Sequence, residues 1–155
     1  WARNWGFVPL TEAEAAAMAR DLRPILIPDF VQIAEEDGEL VGFILLLPNI
    51  NEALAGLGGR LLPFAWARLL WRLKIRGLTS GRVPLMGVRP DIAATPRGKL
   101  LPLRMIYALE APARARGLRH IEMSWQLEEN TGPRRLIEAL GSTLYKRYRV
   151  YEKAL

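Results

Sequence analysis

The chain has no cysteine and a single histidine, His120. The first absence excludes disulfides, thiolate metal sites and a cysteine nucleophile, and it fits a reducing compartment. The second leaves neither a histidine metal site nor a serine triad a workable set of donors, so no metal is expected. No stretch reaches the roughly 18 uninterrupted apolar residues that a membrane-spanning helix needs. No internal repeat or low-complexity tract occurs, and no signal-like segment precedes the first strand pattern. The expectation is a soluble, cytoplasmic protein. The start at Trp1 rather than Met points to a trimmed piece or the C-terminal domain of a longer protein.

What is present favours one domain over 1–155. The chain has 155 residues and half of them are hydrophobic, enough for a substantial single core. A net charge of +6 favours anionic partners, whether coenzyme phosphates, nucleic acid or a lipid surface. Charge alone does not choose among them.

The stretch from Ser80 to Gly117 organises the rest. Val83 to Val88 is short, apolar and rich in strand formers, as suits a strand buried on both faces. Gly87 within it marks a bulge or a close approach by another backbone. Arg89-Pro90 ends the strand, a loop closes on Thr95-Pro96-Arg97-Gly98-Lys99, and Pro102 suits the first turn of a helix. Such a helix points free N–H groups at the loop, where Arg97 and Lys99 favour a phosphate. The competing reading is a strand-to-helix connection whose basic residues are merely solvated.

In chain order, Trp5 to Leu10 reads as a strand, and Thr11 with Glu14 forms a capping box opening a helix to Leu22. Phe30–Glu35 and Leu40–Leu47 read as a hairpin across Asp37-Gly38. The acidic cluster around that turn is read as solvated charge. Asn49 to Thr79 is a helical insertion. Within it, Arg60 to Arg76 carries Arg68, Arg72 and Arg76 at spacing four, a basic stripe opposite Trp66, Leu69, Leu70 and Leu73. That helix fits an anionic membrane, a hydrophobic substrate, a partner or second copy, or simple packing on its own domain with arginines outward. A strand over Arg119–Trp125, a helix over Pro133–Leu140 and a last strand over Thr143–Glu152 complete the chain. The last strand has no clean apolar face.

This order of elements resembles the GNAT superfamily of acyl-CoA-dependent acyltransferases. The resemblance covers nearly the whole chain; it is most specific in Asn130 through Gly141, with Leu136, Ile137 and Glu138 on the helix, and in Val88-Arg89-Pro90 before the loop. It implies an α/β fold with a mixed, mostly antiparallel sheet flanked by helices, the insertion lying between the third and fourth strands. It also implies that the backbone of Leu85, Met86, Gly87 and Val88 bonds the pantetheine arm, that Arg97, Gly98 and Lys99 hold the pyrophosphate, and that Asn130 contacts the coenzyme. The co-substrate is then acetyl-CoA or another acyl-CoA. Two departures stand out: one glycine, Gly98, remains of the usual loop pattern, and Ile137 occupies the place where many members carry a proton-donating tyrosine. Tyr145 or solvent is the replacement donor, and Glu122 or a chain of waters the candidate base, with Glu128 and Glu129 as further candidates.

The leading expectation is acyl transfer to an amine by direct attack in a ternary complex, which needs no covalent nucleophile. A catalytically silent interaction module working through the Trp-rich insertion is the second. Nucleic-acid binding through Lys146, Arg147 and Arg149 ranks last, since no recognised reading motif accompanies the charge.

Overall fold

A computed structural model describes residues 11–59 and 62–153. They form two compact units, one ending at Ser124 and one beginning at Trp125. The strand expected over Trp5–Leu10 lies outside the described residues.

The first unit is built on a four-stranded sheet in the order β1-β2-β3-β4, with β1 Val31–Glu36, β2 Glu39–Pro48, β3 Ser80–Val88 and β4 His120–Glu122. The pairs β1/β2 and β2/β3 are antiparallel and β3/β4 is parallel. The hairpin turn falls on Asp37 and Gly38, at φ +53° and +82°, the two left-handed positions that such a turn requires. Before it, α1 (Glu12–Leu22) is capped as the sequence predicts: Thr11 Oγ1 accepts from Glu14 N at 3.3 Å while the Glu14 carboxylate accepts from Thr11 N at 2.8 Å. The Thr11 backbone N–H, then its hydroxyl, holds the Glu14 carboxyl below its ordinary pKa.

Among the described strands, the insertion lies between β2 and β3. It contains α2 (Ile50–Leu54) and α3 (Ala65–Trp71), the latter continued by a π-helical turn over Arg72–Arg76. Glu52 on α2 fastens the insertion to the sheet, accepting from Thr79 N (3.1 Å), Thr79 Oγ1 (2.9 Å), Ser80 N (3.0 Å) and Ser80 Oγ (2.7 Å). Burial raises its pKa, but these bonds, Ser80's first, outweigh burial and leave the pKa lowered.

After β3 come a one-turn helix, α4 (Pro90–Ala93), and the long α5 (Pro96–Ala115). Met105, Leu109 and Ala113 of α5 meet Phe30, Ile44, Leu46, Val83 and Leu118 in the core. α5 corrects the expected helix start: it begins at Pro96, not Pro102. Thr95 is its N-cap, accepting from Gly98 N at 3.0 Å and donating to Ile92 O at 2.7 Å. Pro96 then takes the N1 place, and the helix runs through Pro102 and Pro112.

The second unit contains α6 (Thr131–Ala139), with Pro133, Leu136, Ile137 and Leu140 half-buried. The strand expected over Thr143–Glu152 is not formed; those residues are exposed and without regular structure. With charges on both faces of the alternation, no apolar face fixes a register. Arg149 Nη1 instead lies 3.3 Å from Glu128 Oε2.

Candidate functional site

The site is built around the place where β3 and β4 part. Their ladder has three rungs, Ser80 with His120, Gly81 with Ile121 and Arg82 with Glu122. β3 then continues to Val88 while β4 stops, and the chain turns at Ser124, a non-glycine residue at φ +59°. Leu85, Met86, Gly87 and Val88 therefore lie beyond the last rung. On the other side they pair with β2, Leu85 with Leu45, Met86 with Ile44, Gly87 with Phe43 and Val88 with Gly42. Between the two registers the β2/β3 ladder is irregular around Leu45–Leu47, opposite Val83-Pro84, where proline cannot donate a ladder bond.

Gly87 sits under the Phe43 ring. A Cβ there would come within 3.2 Å of Phe43 Cε1, so close packing accounts for the glycine. Phe43 and Gly87, with Leu40, Val41, Gly42, Val88, Arg89 and Pro90, line a hollow of about 300 Å³ at this end of the sheet. At its edge Arg89 Nε is 2.9 Å from Asp91 Oδ1, and the Arg89 hydrogen bond lowers the Asp91 pKa.

Arg97, Gly98 and Lys99 fall in the first turn of α5 rather than in a loop. Gly98 is buried, and a Cβ on it would stand 1.8 Å from Ile92 O, so only glycine lets α5 approach α4 this closely. Arg97 and Lys99 are exposed. Of the first-turn donors, Gly98 N is held by Thr95 Oγ1 and Lys99 N by Thr95 O at 3.1 Å, while Pro96 has no N–H. This differs from the open cradle expected of a helix starting at Pro102. What remains is the Arg97 N–H and two cationic side chains at the positive end of a 20-residue helix, still an arrangement that favours an anion.

Glu122 is half-buried at the last rung, with Oε1 2.6 Å from Arg82 Nη2. Arg82 escapes a reading of the sequence because it precedes the apolar run; only the parallel register puts it opposite Glu122. Asn130 is the N-cap residue of α6, and its side chain makes no capping hydrogen bond. Tyr145 is exposed, with Lys146 Nζ 5.0 Å from its ring centroid. Both belong to the second unit, whereas β3, the start of α5 and Glu122 belong to the first. Among the described residues no cluster of three or more metal-ligating side chains occurs.

The insertion helix is turned differently from the expected basic stripe. Arg72 faces inward, only 9% exposed, its Nη1 donating to Ala53 O at 2.7 Å and also to Ala55 O. Leu69 and Leu73 pack beside it on the core. Trp66, Leu70 and Trp71 are left half-exposed.

No protein-family model matches the chain. The aminoglycoside N-acetyltransferase AAC(6′)-Iy, solved with a CoA bisubstrate analogue, superposes with a TM-score of 0.58 at 20% identity over 97% of this chain and 84% of that one. The same enzyme in complex with CoA gives 0.53 at 21% identity over 90% and 88%. An acetyltransferase of Trypanosoma brucei gives 0.51 at 18% identity over 94% and 82%. The chain has the GNAT fold. Within the GNAT fold the sheet is the mixed, mainly antiparallel one expected, with helices flanking it and the insertion carried before β3. Two curated relatives match the whole chain: the bacterial ceramide synthase of Caulobacter vibrioides, 48% identical over 155 residues, and protein YghO of Escherichia coli, 49% identical over 155. The chain spans about 40% of the length of each.

Proposed function

We propose that this chain is the acyl-transferring part of an acyl-CoA-dependent N-acyltransferase, and that its acceptor is the amine of a long-chain amino alcohol. The observation that carries the reading is the β3 edge over Leu85–Val88, which runs on past the three-rung ladder with β4 and offers backbone groups to an extended, amide-bearing arm. Pantetheine is such an arm. CoA complexes among the GNAT-fold neighbours support the same co-substrate. A relative named a ceramide synthase supports the acceptor class, because ceramide is an amide of a long-chain amino alcohol. The apolar insertion beside β3 agrees with a lipid-like acceptor.

In this reading Leu85, Met86, Gly87 and Val88 bind pantetheine through their backbone, and Arg97 and Lys99 neutralise the pyrophosphate. Gly98 keeps α5 close to α4. The neutral amine attacks the thioester carbonyl; a C–N bond forms, the C–S bond breaks, the amine nitrogen loses a proton and the CoA thiolate gains one. Glu122 takes the first proton, directly or through water, once Arg82 yields it, and solvent supplies the second. A cytoplasmic reaction agrees with acyl-CoA as donor.

Calorimetric titration of the purified protein with CoA and acyl-CoA tests this, together with Arg97→Ala and Lys99→Ala. Micromolar binding that weakens several-fold in each variant is expected, followed by CoA release with a long-chain amino alcohol exceeding that with a short amine. No heat at millimolar coenzyme would sink the enzyme reading and leave a silent GNAT-fold module.

A further inference from the structure

The outward side of the insertion helix carries more apolar surface than water tolerates without a reason. Phe64 is 78% exposed, Ile75 74%, and Trp66, Leu70 and Trp71 about half. At 100° per residue, Leu69, Arg72 and Leu73 define the inward side, Trp66 stands at its flank, and Leu70, Trp71 and Ile75 spread over the opposite half. Ordinary surfaces scatter single apolar residues; five within a twelve-residue stretch form a patch that calls for a partner.

Charge selects the partner. Residues 60–76 hold five basic side chains and no acidic one; among the described ones, Arg72 is spent inside the fold. Arg68 and Arg76 are exposed along the same helix. A cationic, tryptophan-bearing helix with an apolar outer side matches an anionic lipid surface, where apolar side chains enter the acyl boundary and guanidinium groups meet phosphates. A second copy fits poorly, because a two-fold contact would set this cationic segment against itself. No helix among the described residues is long and apolar enough to cross a membrane.

We infer that the side of the insertion bearing Phe64, Trp66, Leu70, Trp71 and Ile75 docks on an anionic membrane surface. The inference is independent of the acyltransferase reading, since it uses no residue of the coenzyme site.

Co-sedimentation of the purified protein with vesicles of pure phosphatidylcholine, and of phosphatidylcholine with roughly one-third phosphatidylglycerol, tests it. The expected result is at least about tenfold stronger partitioning onto the anionic vesicles, falling at high salt. The triple variant Phe64→Ser, Trp71→Ser, Ile75→Ser should lose binding while its melting curve and CoA affinity stay unchanged. Arg68→Glu with Arg76→Glu should remove the preference for anionic lipid. Equal partitioning of wild type and triple variant, or no binding to either vesicle, overturns the inference. So does a solution dimer that the triple variant dissociates, which would show a second copy covering this side.

Discussion

Arg82 Nη2 lies 2.6 Å from Glu122 Oε1 across the last rung that joins β3 to β4. The pair thus stands where the strands separate. Its side chains are 45% and 32% exposed, so its direct contribution to stability is small, about 0–1 kcal/mol.

Glu122→Gln separates chemistry from folding. The amide keeps the shape of the carboxylate, so a melting curve close to wild type is expected. If Glu122 accepts the amine proton, turnover in a CoA-release assay drops by about 100-fold or more with the CoA affinity unchanged. Wild-type turnover in this variant would remove Glu122 from the mechanism.

Gly98→Ala and Arg97→Ala should behave oppositely. The alanine methyl at 98 has nowhere to go, standing 1.8 Å from Ile92 O, and α5 must move away from α4. A loss on the order of 3 kcal/mol in urea denaturation is expected. Arg97 is exposed, and its replacement should change stability by less than about 0.5 kcal/mol while weakening coenzyme binding.

Arg72→Met tests the inward arginine. It strands the carbonyls of Ala53 and Ala55, and a charged hydrogen bond of this kind is worth about 1.5–3 kcal/mol. Faster amide exchange across 49–79, with the α5 core still protected, would show the insertion loosening by itself. Uniformly faster exchange would show instead that Arg72 holds the whole unit.

Acid should weaken the fold partly through Glu52. Its folded pKa is lowered, so its contribution is complete above the ordinary glutamate value of about 4.3 and is lost as pH falls through the folded value. In Glu52→Gln the fall in urea stability on acidification should be shallower than in wild type. Parallel curves would assign the acid sensitivity to other carboxylates.

Local chemistry was legible in the sequence where it is completed within a few residues. The Thr11–Glu14 box, the Asp37-Gly38 turn and the end of β3 before Arg89-Pro90 all stand where their residue types put them. The start of α5 is ambiguous in the sequence because Thr95-Pro96 and Pro102 offer the same signal at two places. The close contact of Gly98 with Ile92, invisible in one dimension, goes with the earlier start. Spacing four placed Arg68, Arg72 and Arg76 along one helix but not which side faces in. The carbonyls of Ala53 and Ala55, nineteen and seventeen residues away, accept from Arg72 on the inward side. The strand expected over Thr143–Glu152 rests on alternation alone, and alternation without an apolar face fixes no partner, so it does not form.

The three-rung ladder has a mechanical consequence. Strands tied at one end pivot about that end, and widening the gap beyond Arg82 breaks no rung of the β3/β4 ladder. Separation of the two strands beyond Arg82 and Glu122 therefore costs no β3/β4 backbone bond.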